Sequence, residues 1–497
     1  MFRKVLVANR GEIAVRIIRA LREFGIASVA VYSDADRASL AVRMADQAVH
    51  LGPAPSRESY LNIEKIVNAA RRGGAEAIHP GYGFLSENAD FAQACTDAGL
   101  VFIGPPASAI RAVGSKTAAR KLAIEVGAPV VPGTEAAVRD PEDAKKIARQ
   151  IGYPVLLKAA AGGGGKGMRR VDREQDLESS LRDASSEALR AFQNADVYIE
   201  KLVLEPRHIE IQVLGDQHGR MIHLGERECS IQRRHQKVIE ESPSPVMLEH
   251  PELRGRMGEA ALKIACAARY FNAGTCEFLV DKDRNFYFLE MNTRLQVEHP
   301  VTELATGLDL VHWQLRIAAG EHLTLRQEEI EWRGSAIECR IYAEDPENNF
   351  LPSPGRITHL EQPSGPGIRR DSGVYQGWTV PLEYDPMLAK LAVWAPSRDA
   401  AIERMRRALR EYVVEGIRTN IAWFDAVLDA PDFREGRLST AFLDRFKIPE
   451  RPPADTEEEA VAALIAALQI GKSNGARQER PAQKSAWRDA GRKDLMR

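Results

Sequence analysis

Cysteine is scarce in this 497-residue chain: Cys95, Cys229, Cys266, Cys276 and Cys339 are scattered, odd in number and form no C-x-x-C pair. That pattern offers neither a disulfide framework nor a zinc knuckle, and it fits a reducing compartment. Long hydrophobic runs are missing too. Charges interrupt every apolar stretch well short of the ~18 residues of a membrane helix. Met1 to Val7 has no apolar run long enough for a signal peptide, so a soluble, cytoplasmic protein with no membrane partner is expected. Neither charge sign dominates. Lys plus Arg number 68 against 70 Asp plus Glu, a net charge of −2, which argues against a protein that coats nucleic acid and makes any anion site local. There is no internal repeat and no long low-complexity tract. Apolar residues at 44% and charged residues at 28% suit an ordinary globular protein. At roughly 150 residues per domain, the length suits about three domains.

The pattern begins with a buried strand, Val5 to Ala8, then apolar Ala14, Ile17, Ile18 and Leu21 at helical spacing until Gly25, a helix stop. A strand at Ser28 to Tyr32 and short apolar runs at Ala77-Ile78 and Leu100 to Ile103 make residues 1–114 an open, Rossmann-like α/β sheet. A dinucleotide site is a poor fit, because the first strand-to-helix turn, Ala8-Asn9-Arg10-Gly11-Glu12, has one glycine where a pyrophosphate needs three. Residues 115–203 read as a smaller unit in which the strand Pro154 to Lys158 meets a glycine run and continues into Met168 to Val171. Residues 204–447 read as the largest domain, strands first and helices later, with a turn at Leu351 to Gly355. The tail 448–497 breaks at Arg451-Pro452-Pro453. It then places Val461, Leu464, Ile465 and Leu468 on one helical face and ends in a segment of eight basic and three acidic residues. That end reads either as a solvated tail or as a docking segment for a partner.

Three clusters carry chemistry. Gly162 to Gly167 lacks side chains, so its backbone N–H groups can close on phosphate oxygens. It lacks the Ser or Thr after Gly-Lys that a P-loop requires, and it joins strands, so it reads as a flap; a plain floppy hairpin is the other reading. Lys158, at the end of an apolar strand, would set a cation beside the same anion. The second cluster comes from strand parity. Cys276 to Val280 and Phe286 to Glu290 flank the turn segment Asp281 to Asn285, and a turn centred between Asp283 and Arg284 sets Glu277 opposite Glu290. Facing carboxylates about 5 Å apart repel and call for a hard cation. If the chain stays extended, Glu290, Asn292, Arg294, Gln296 and Glu298 continue on one face; an ordinary half-solvated edge strand alternates in the same way. Third, Gln232-Arg233-Arg234-His235-Gln236-Lys237 concentrates cations able to balance a small anion, or forms a solvated face. Arg340, out of phase with Ile337, Cys339 and Ile341, belongs either to a site or to the surface.

Five stretches, taken in order, carry a resemblance: KVLVANRGEIA from Lys4, HPGYGFLSEN from His79, the glycine run, RRHQK from Arg233, and EMNTRLQVEHP from Glu290. Over about residues 1–447 the chain resembles the biotin carboxylase component of biotin-dependent carboxylases, within the ATP-grasp fold. It departs from that pattern at Ala161, where a further glycine is frequent, and at Lys166, where arginine is common. The resemblance implies an N-terminal Rossmann-like domain, a small mobile lid and a larger mixed α+β domain. It implies ATP-dependent carboxylation of biotin by bicarbonate through carboxyphosphate. Lys116, Lys158, Gly164, Gly165, Glu200, Lys201, His208 and His235 would hold ATP, with Glu277 and Glu290. Glu277, Glu290 and Asn292 would ligate magnesium or manganese, two ions in all. Lys237, Arg294, Gln296 and the backbone of Val297 would hold bicarbonate, with Glu298 as general base. Tyr82, Gly83 and Arg340 would meet biotin. No Met-Lys-Met biotin attachment site occurs, so a free-standing homodimeric subunit is expected. It would work with a separate biotin carboxyl carrier protein and carboxyltransferase subunit, acetyl-CoA carboxylase being the first expectation and a pyruvate or other acyl-CoA carboxylase the alternative. Another bicarbonate-activating ATP-grasp ligase, a nucleotide-sensing module and a dehydrogenase are the competing readings.

Overall fold

The computed structural model describes residues 1–134, 137–159, 168–192 and 195–447, with six further positions between 460 and 467. The glycine run with Gly164 and Gly165, and most of the tail, lie outside the described residues. The chain divides into two compact units, Met1–Lys447 and Ile448–Arg497. In the second, the described Val461, Leu464 and Ile465 are exposed. No described helix is long and apolar enough to cross a membrane.

Strands β1 (Lys4–Val7), β2 (Ala27–Ser33), β3 (Gln47–Gly52), β4 (Ala77–His79) and β5 (Val101–Phe102) form a parallel sheet in the order β3-β2-β1-β4-β5. Helices must cover both faces of such a sheet, which is why β1 is apolar without alternation. Val5 and Val7 pack with Ile13, Ile17 and Leu21 of helix α1 (Gly11–Glu23), while Leu6 and Ala8 pack with Ile66 and Phe91 on the other side. Gly25, at φ +67°, ends α1 as expected: Ile26 N–H donates to Leu21 O at 2.8 Å and Gly25 N–H to Arg22 O at 3.0 Å, a Schellman closure.

A small antiparallel sheet follows, with β6 (Val155–Ala159) between β7 (Met168–Val171) and β8 (Val197–Lys201). Val155, Leu157, Val197 and Ile199 point into a core shared with Leu177 and Leu181. By the period-2 rule, Lys158 and Glu200 therefore share the opposite face.

The largest element is an eight-stranded antiparallel sheet. It comprises β9 (Arg207–Gly215), β10 (Met221–Arg233), β11 (Gln236–Ser242), β12 (Asn272–Val280), β13 (Phe286–Asn292), β14 (Ser335–Tyr342), β15 (Ile368–Ser372) and β16 (Met387–Ala395). Their order is β13-β12-β9-β10-β11-β14-β16-β15. One face is apolar: Ile209, Ile211, Cys276 and Phe278 pack on helix Pro251–Ala267, and Ile337, Cys339, Leu391 and Val393 pack on helix Arg398–Arg410. The alternate residues, among them Glu210, Glu277, Glu338, Arg340 and Lys390, form a charged opposite face. Helix His299–Thr306 lies against β10, β11, β14 and β16 and helps to close it from water.

Candidate active site

Three carboxylates and one ammonium form the centre of this charged face. Glu277 sits opposite Glu290, as expected, but the turn lies elsewhere and a bulge, not strand parity, sets the pairing. Pairs from Val280↔Phe286 to Phe278↔Phe288 centre it on Asp283, and Leu289 is an extra residue whose bulge restores the Glu277↔Glu290 pairing. Without that bulge Glu277 would face Leu289. On its other side Glu277 pairs with Glu210 of β9, which pairs in turn with Arg227 of β10. An acidic row thus crosses three strands and ends on a buried guanidinium.

Lys237 neutralises the row. Its Nζ lies 2.5 Å from Glu210, 2.9 Å from Glu277 and 2.7 Å from Glu298. Burial pulls the ammonium down, but the three carboxylates outweigh it and hold Lys237 well above its ordinary value. Burial would raise the Glu298 carboxyl; Lys237, Arg340 and Arg227 overcome it and keep Glu298 well below the usual carboxylate range. Arg227 is fully buried and spends its donors on Glu210, on Gln212 at 2.6 Å, on Thr302 at 2.9 Å and on Thr275 at 3.0 Å.

The segment after Glu290 does not stay extended. β13 ends at Asn292, and Val297-Glu298 turn into helix His299–Thr306, which Pro300 helps to start. Buried Leu295 pins the bend into the core beneath the parallel sheet. The polar side chains converge all the same. Arg294 donates to Asn292 at 3.0 Å, to Gln296 at 2.6 Å and to Glu87 at 2.9 Å, while Asn292 and Gln296 donate to Glu277 at 2.9 and 3.1 Å. Burial, rather than strand alternation, brings these groups together.

Arg340 is inside, not on the surface: its Nε donates to Glu240 at 2.6 Å and a terminal nitrogen to Glu298 at 2.9 Å. Burial, only partly offset by Arg340, pushes Glu240 up to about 7. The Val297 carbonyl accepts from Lys390 at 2.8 Å, and the Tyr82 hydroxyl donates to Glu12. Gly81 and Gly83 both have positive φ, and a Cβ on Gly81 would lie 3.0 Å from Asn9 Nδ2, so the Tyr82 turn requires glycine there.

Toward the small sheet, Lys116 Nζ lies 3.0 Å from Glu290, and Lys158 pairs with Glu200. His208 Nε2 lies 2.9 Å from Glu277. His235, with Arg234, occupies the tip of the β10–β11 hairpin at positive φ. The Lys201 ammonium is held by the Gly152 and Tyr153 carbonyls at 2.8 and 2.9 Å, so this residue offers a ligand its backbone rather than its charge. Donor atoms of His208, Glu210 and Glu277 lie within 4.8 Å of one another and Glu290 pairs with Glu277 across the strands, a set suited to a hard divalent cation, while Asn292 turns its amide nitrogen to Glu277 and its oxygen to Arg294.

Sequence reasoning missed Glu12, Glu87, Glu210, Arg227, Glu240 and Lys390. Two of these had a signal. Ile209, Ile211 and Val213 alternate with His208, Glu210 and Gln212, which places Glu210 on the face of His208, and Lys390 interrupts an apolar strand as Lys158 does.

Three family descriptions match consecutive stretches: "Biotin carboxylase, N-terminal domain" over residues 1–110, "Carbamoyl-phosphate synthase L chain, ATP binding domain" over 115–326, and "Biotin carboxylase C-terminal domain" over 338–445. A pyruvate carboxylase subunit of Methanothermobacter thermautotrophicus is 54% identical over 448 residues, 90% of this chain and 90% of that protein. Biotin carboxylase 1 of Bacillus subtilis is 51% identical over 90% of this chain and 99% of its own. The structure of Campylobacter jejuni biotin carboxylase superposes with a TM-score of 0.84 at 48% identity, covering 90% of this chain and 99% of that one. The chain therefore belongs to the biotin carboxylase family, the ATP-grasp ligase component of biotin-dependent carboxylases.

Proposed function

We propose that the charged face carries out the first half-reaction of a multisubunit carboxylase, in which bicarbonate attacks the γ-phosphate of ATP and the resulting carboxyphosphate delivers CO₂ to biotin. The observation that supports this reading best is the buried ammonium of Lys237 bridging Glu210, Glu277 and Glu298 beside two guanidiniums. Joining an anion to a polyanion needs positive charge prearranged in a dry site. A related 2-oxoglutarate carboxylase domain from Hydrogenobacter thermophilus was solved with MgADP and bicarbonate, which supports the same ligand classes here.

In this reading Lys237, Arg294, Gln296 and the Val297 backbone hold bicarbonate, and the Glu298 carboxylate takes its proton. The bicarbonate oxygen then bonds to the γ-phosphorus as the bond to ADP breaks. Carboxyphosphate splits into CO₂ and phosphate. A phosphate oxygen removes the ureido proton of biotin, and the nitrogen bonds to CO₂ while Arg340 balances the charge on the ureido oxygen. Tyr82 and Gly83 form the biotin wall. Lys116, Lys158, Glu200, His208, His235 and the Lys201 backbone hold the nucleotide under a lid assigned to residues 115–203, and Gly164 and Gly165, outside the described residues, would join them. Glu277, Glu290 and Asn292 would hold Mg²⁺ or Mn²⁺, two ions in all, which neutralise phosphate charge when bound. Water must be excluded because carboxyphosphate hydrolyses.

The biotin sits on a separate carrier protein, and a separate carboxyltransferase takes the carboxyl group; the subunit itself works as a homodimer in the cytoplasm. Relatives named for pyruvate, propionyl-CoA and methylcrotonoyl-CoA favour the broad assignment, a pyruvate or acyl-CoA carboxylase, over acetyl-CoA alone. The test is bicarbonate-dependent ADP release from the purified chain. Free biotin should raise it, and Glu298→Gln should cut turnover by at least about 100-fold with ATP binding retained. No response to biotin would overturn the proposal.

A further inference from the structure

Lys390 is a fully buried lysine on an interior strand next to the sheet's edge, and its environment does more than tolerate it. Its neighbours across the sheet are Arg340 of β14 and Asp371 of β15. Its Nζ lies 2.8 Å from the Val297 carbonyl, 3.3 Å from Glu12 and 3.8 Å from Asp371, and it stands 5.7 Å from the Tyr82 ring centroid. Glu12 belongs to the first turn of α1 and is buried; the oxygen that faces Lys390 also accepts the Tyr82 hydroxyl. A buried ammonium is retained only where anions and carbonyls repay its desolvation, and here those partners come from three separate parts of the chain.

We propose that Lys390, acting through Glu12, is a positioning residue that locks the Tyr82 turn to the Val297-Glu298 turn, so that the biotin wall and the bicarbonate cradle hold one relative placement. This rests on the roles given above to Tyr82, Val297 and Glu298. The physical reason is that the two turns share no strand: the first belongs to the parallel sheet domain and the second leads out of β13. Lys390 and Glu12 join them without touching a substrate. Carboxyphosphate formed on one turn must reach biotin held by the other, and an error of one ångström in such a placement lowers the rate steeply.

The test is a double-mutant cycle on the full chain, read as separate KM values for free biotin, bicarbonate and ATP. Tyr82→Phe removes the hydroxyl that reaches Glu12 and should raise the biotin KM about three- to tenfold, the worth of one ordinary hydrogen bond. Lys390→Met should raise the KM of both biotin and bicarbonate with little change in the ATP KM. In the Lys390→Met background, Tyr82→Phe should add less than about twofold, because its partner is already released. If Lys390→Met does not fold, Glu12→Leu removes both the acceptor of Tyr82 and the ion pair with Lys390, and the same cycle applies to it. A purely structural role would lower the melting temperature and move all three KM values together or none. Equal effects of Tyr82→Phe in both backgrounds would overturn the inference while leaving the assigned roles intact. An unchanged biotin KM in both Tyr82→Phe and Gly83→Ala would overturn the biotin wall, and the inference with it.

Discussion

Arg340 reaches Glu298 at 2.9 Å through a terminal nitrogen while Glu240 holds the Nε edge of the same guanidinium at 2.6 Å. The candidate base is thus kept ionised by a cation that is itself anchored, and the three groups stand on β11, β14 and the turn after β13. Charge balance in this pocket is a property of the cluster rather than of any one residue.

Removing Arg340 should expose that dependence. Arg340→Gln takes one cation from Glu298, so its carboxyl protonates at higher pH. The acid limb of the bicarbonate-dependent rate should move toward neutral, and biotin carboxylation should fall by at least about 100-fold. A pH–rate profile checks both, and an unmoved acid limb would show that Arg340 does not set the ionisation of Glu298.

Glu210 and Arg227 form a buried pair whose separation should be more costly than its loss. Glu210→Gln, which strips the buried Arg227 of its carboxylate, should destabilise the fold by about 3–5 kcal/mol, and Arg227→Met by less, because Lys237 still pairs with Glu210. The double replacement by methionine should cost less than the sum of the two. Urea melts followed by circular dichroism decide, and additive losses would contradict the pairing.

Metal dependence should follow the Glu277–Glu290 pair. Chelation should abolish ADP release, and Glu277→Gln should shift the Mg²⁺ activation curve to higher concentration by at least about tenfold, since even partners outside the ligand shell are worth that much. An unchanged curve would place the cation elsewhere.

Two histidines make stability pH-dependent. Burial, with Arg16 nearby, lowers His79 from 6.5 to about 3, and burial lowers His223 from 6.5 to about 4. Both stay neutral in the folded chain at pH values where the unfolded chain takes up protons. Their contribution is therefore complete above about pH 6.5 and lost as pH falls toward 4, at roughly 1.4 kcal/mol per pH unit for each group. Urea midpoints at pH 7 and 5.5 should show this fall, and His79→Asn should make it shallower.

Several features were legible in advance because their causes are local. Gly25 ends α1 because a glycine at positive φ closes the helix wherever it stands. Lys158 could be singled out because a lysine inside an apolar strand has one face on which to lie. The Glu277–Glu290 pairing was reached by parity although the turn centre was misplaced, since the Leu289 bulge compensates by one residue. Bulges leave no mark in hydrophobic alternation until the partner strand is known. The expectation of a straight strand from Glu290 to Glu298 failed for a related reason: alternation of polar and apolar residues continues through a bend when each apolar residue, such as Leu295, has a core to enter.

Hydrophobic period, turn residues and the order of charged motifs thus dictated which segments become strands and helices, and which residue types carry the chemistry. Only the folded sheet decided that Lys237 would meet Glu210 and Glu298, that Arg340 would lie beside Glu240, and that Lys390 would reach Glu12 in another domain. Those meetings depend on which strands become neighbours across gaps of 27 to more than 300 residues. The energy that selects strand order comes from burying both faces of the whole sheet at once, a quantity no local window of the chain contains.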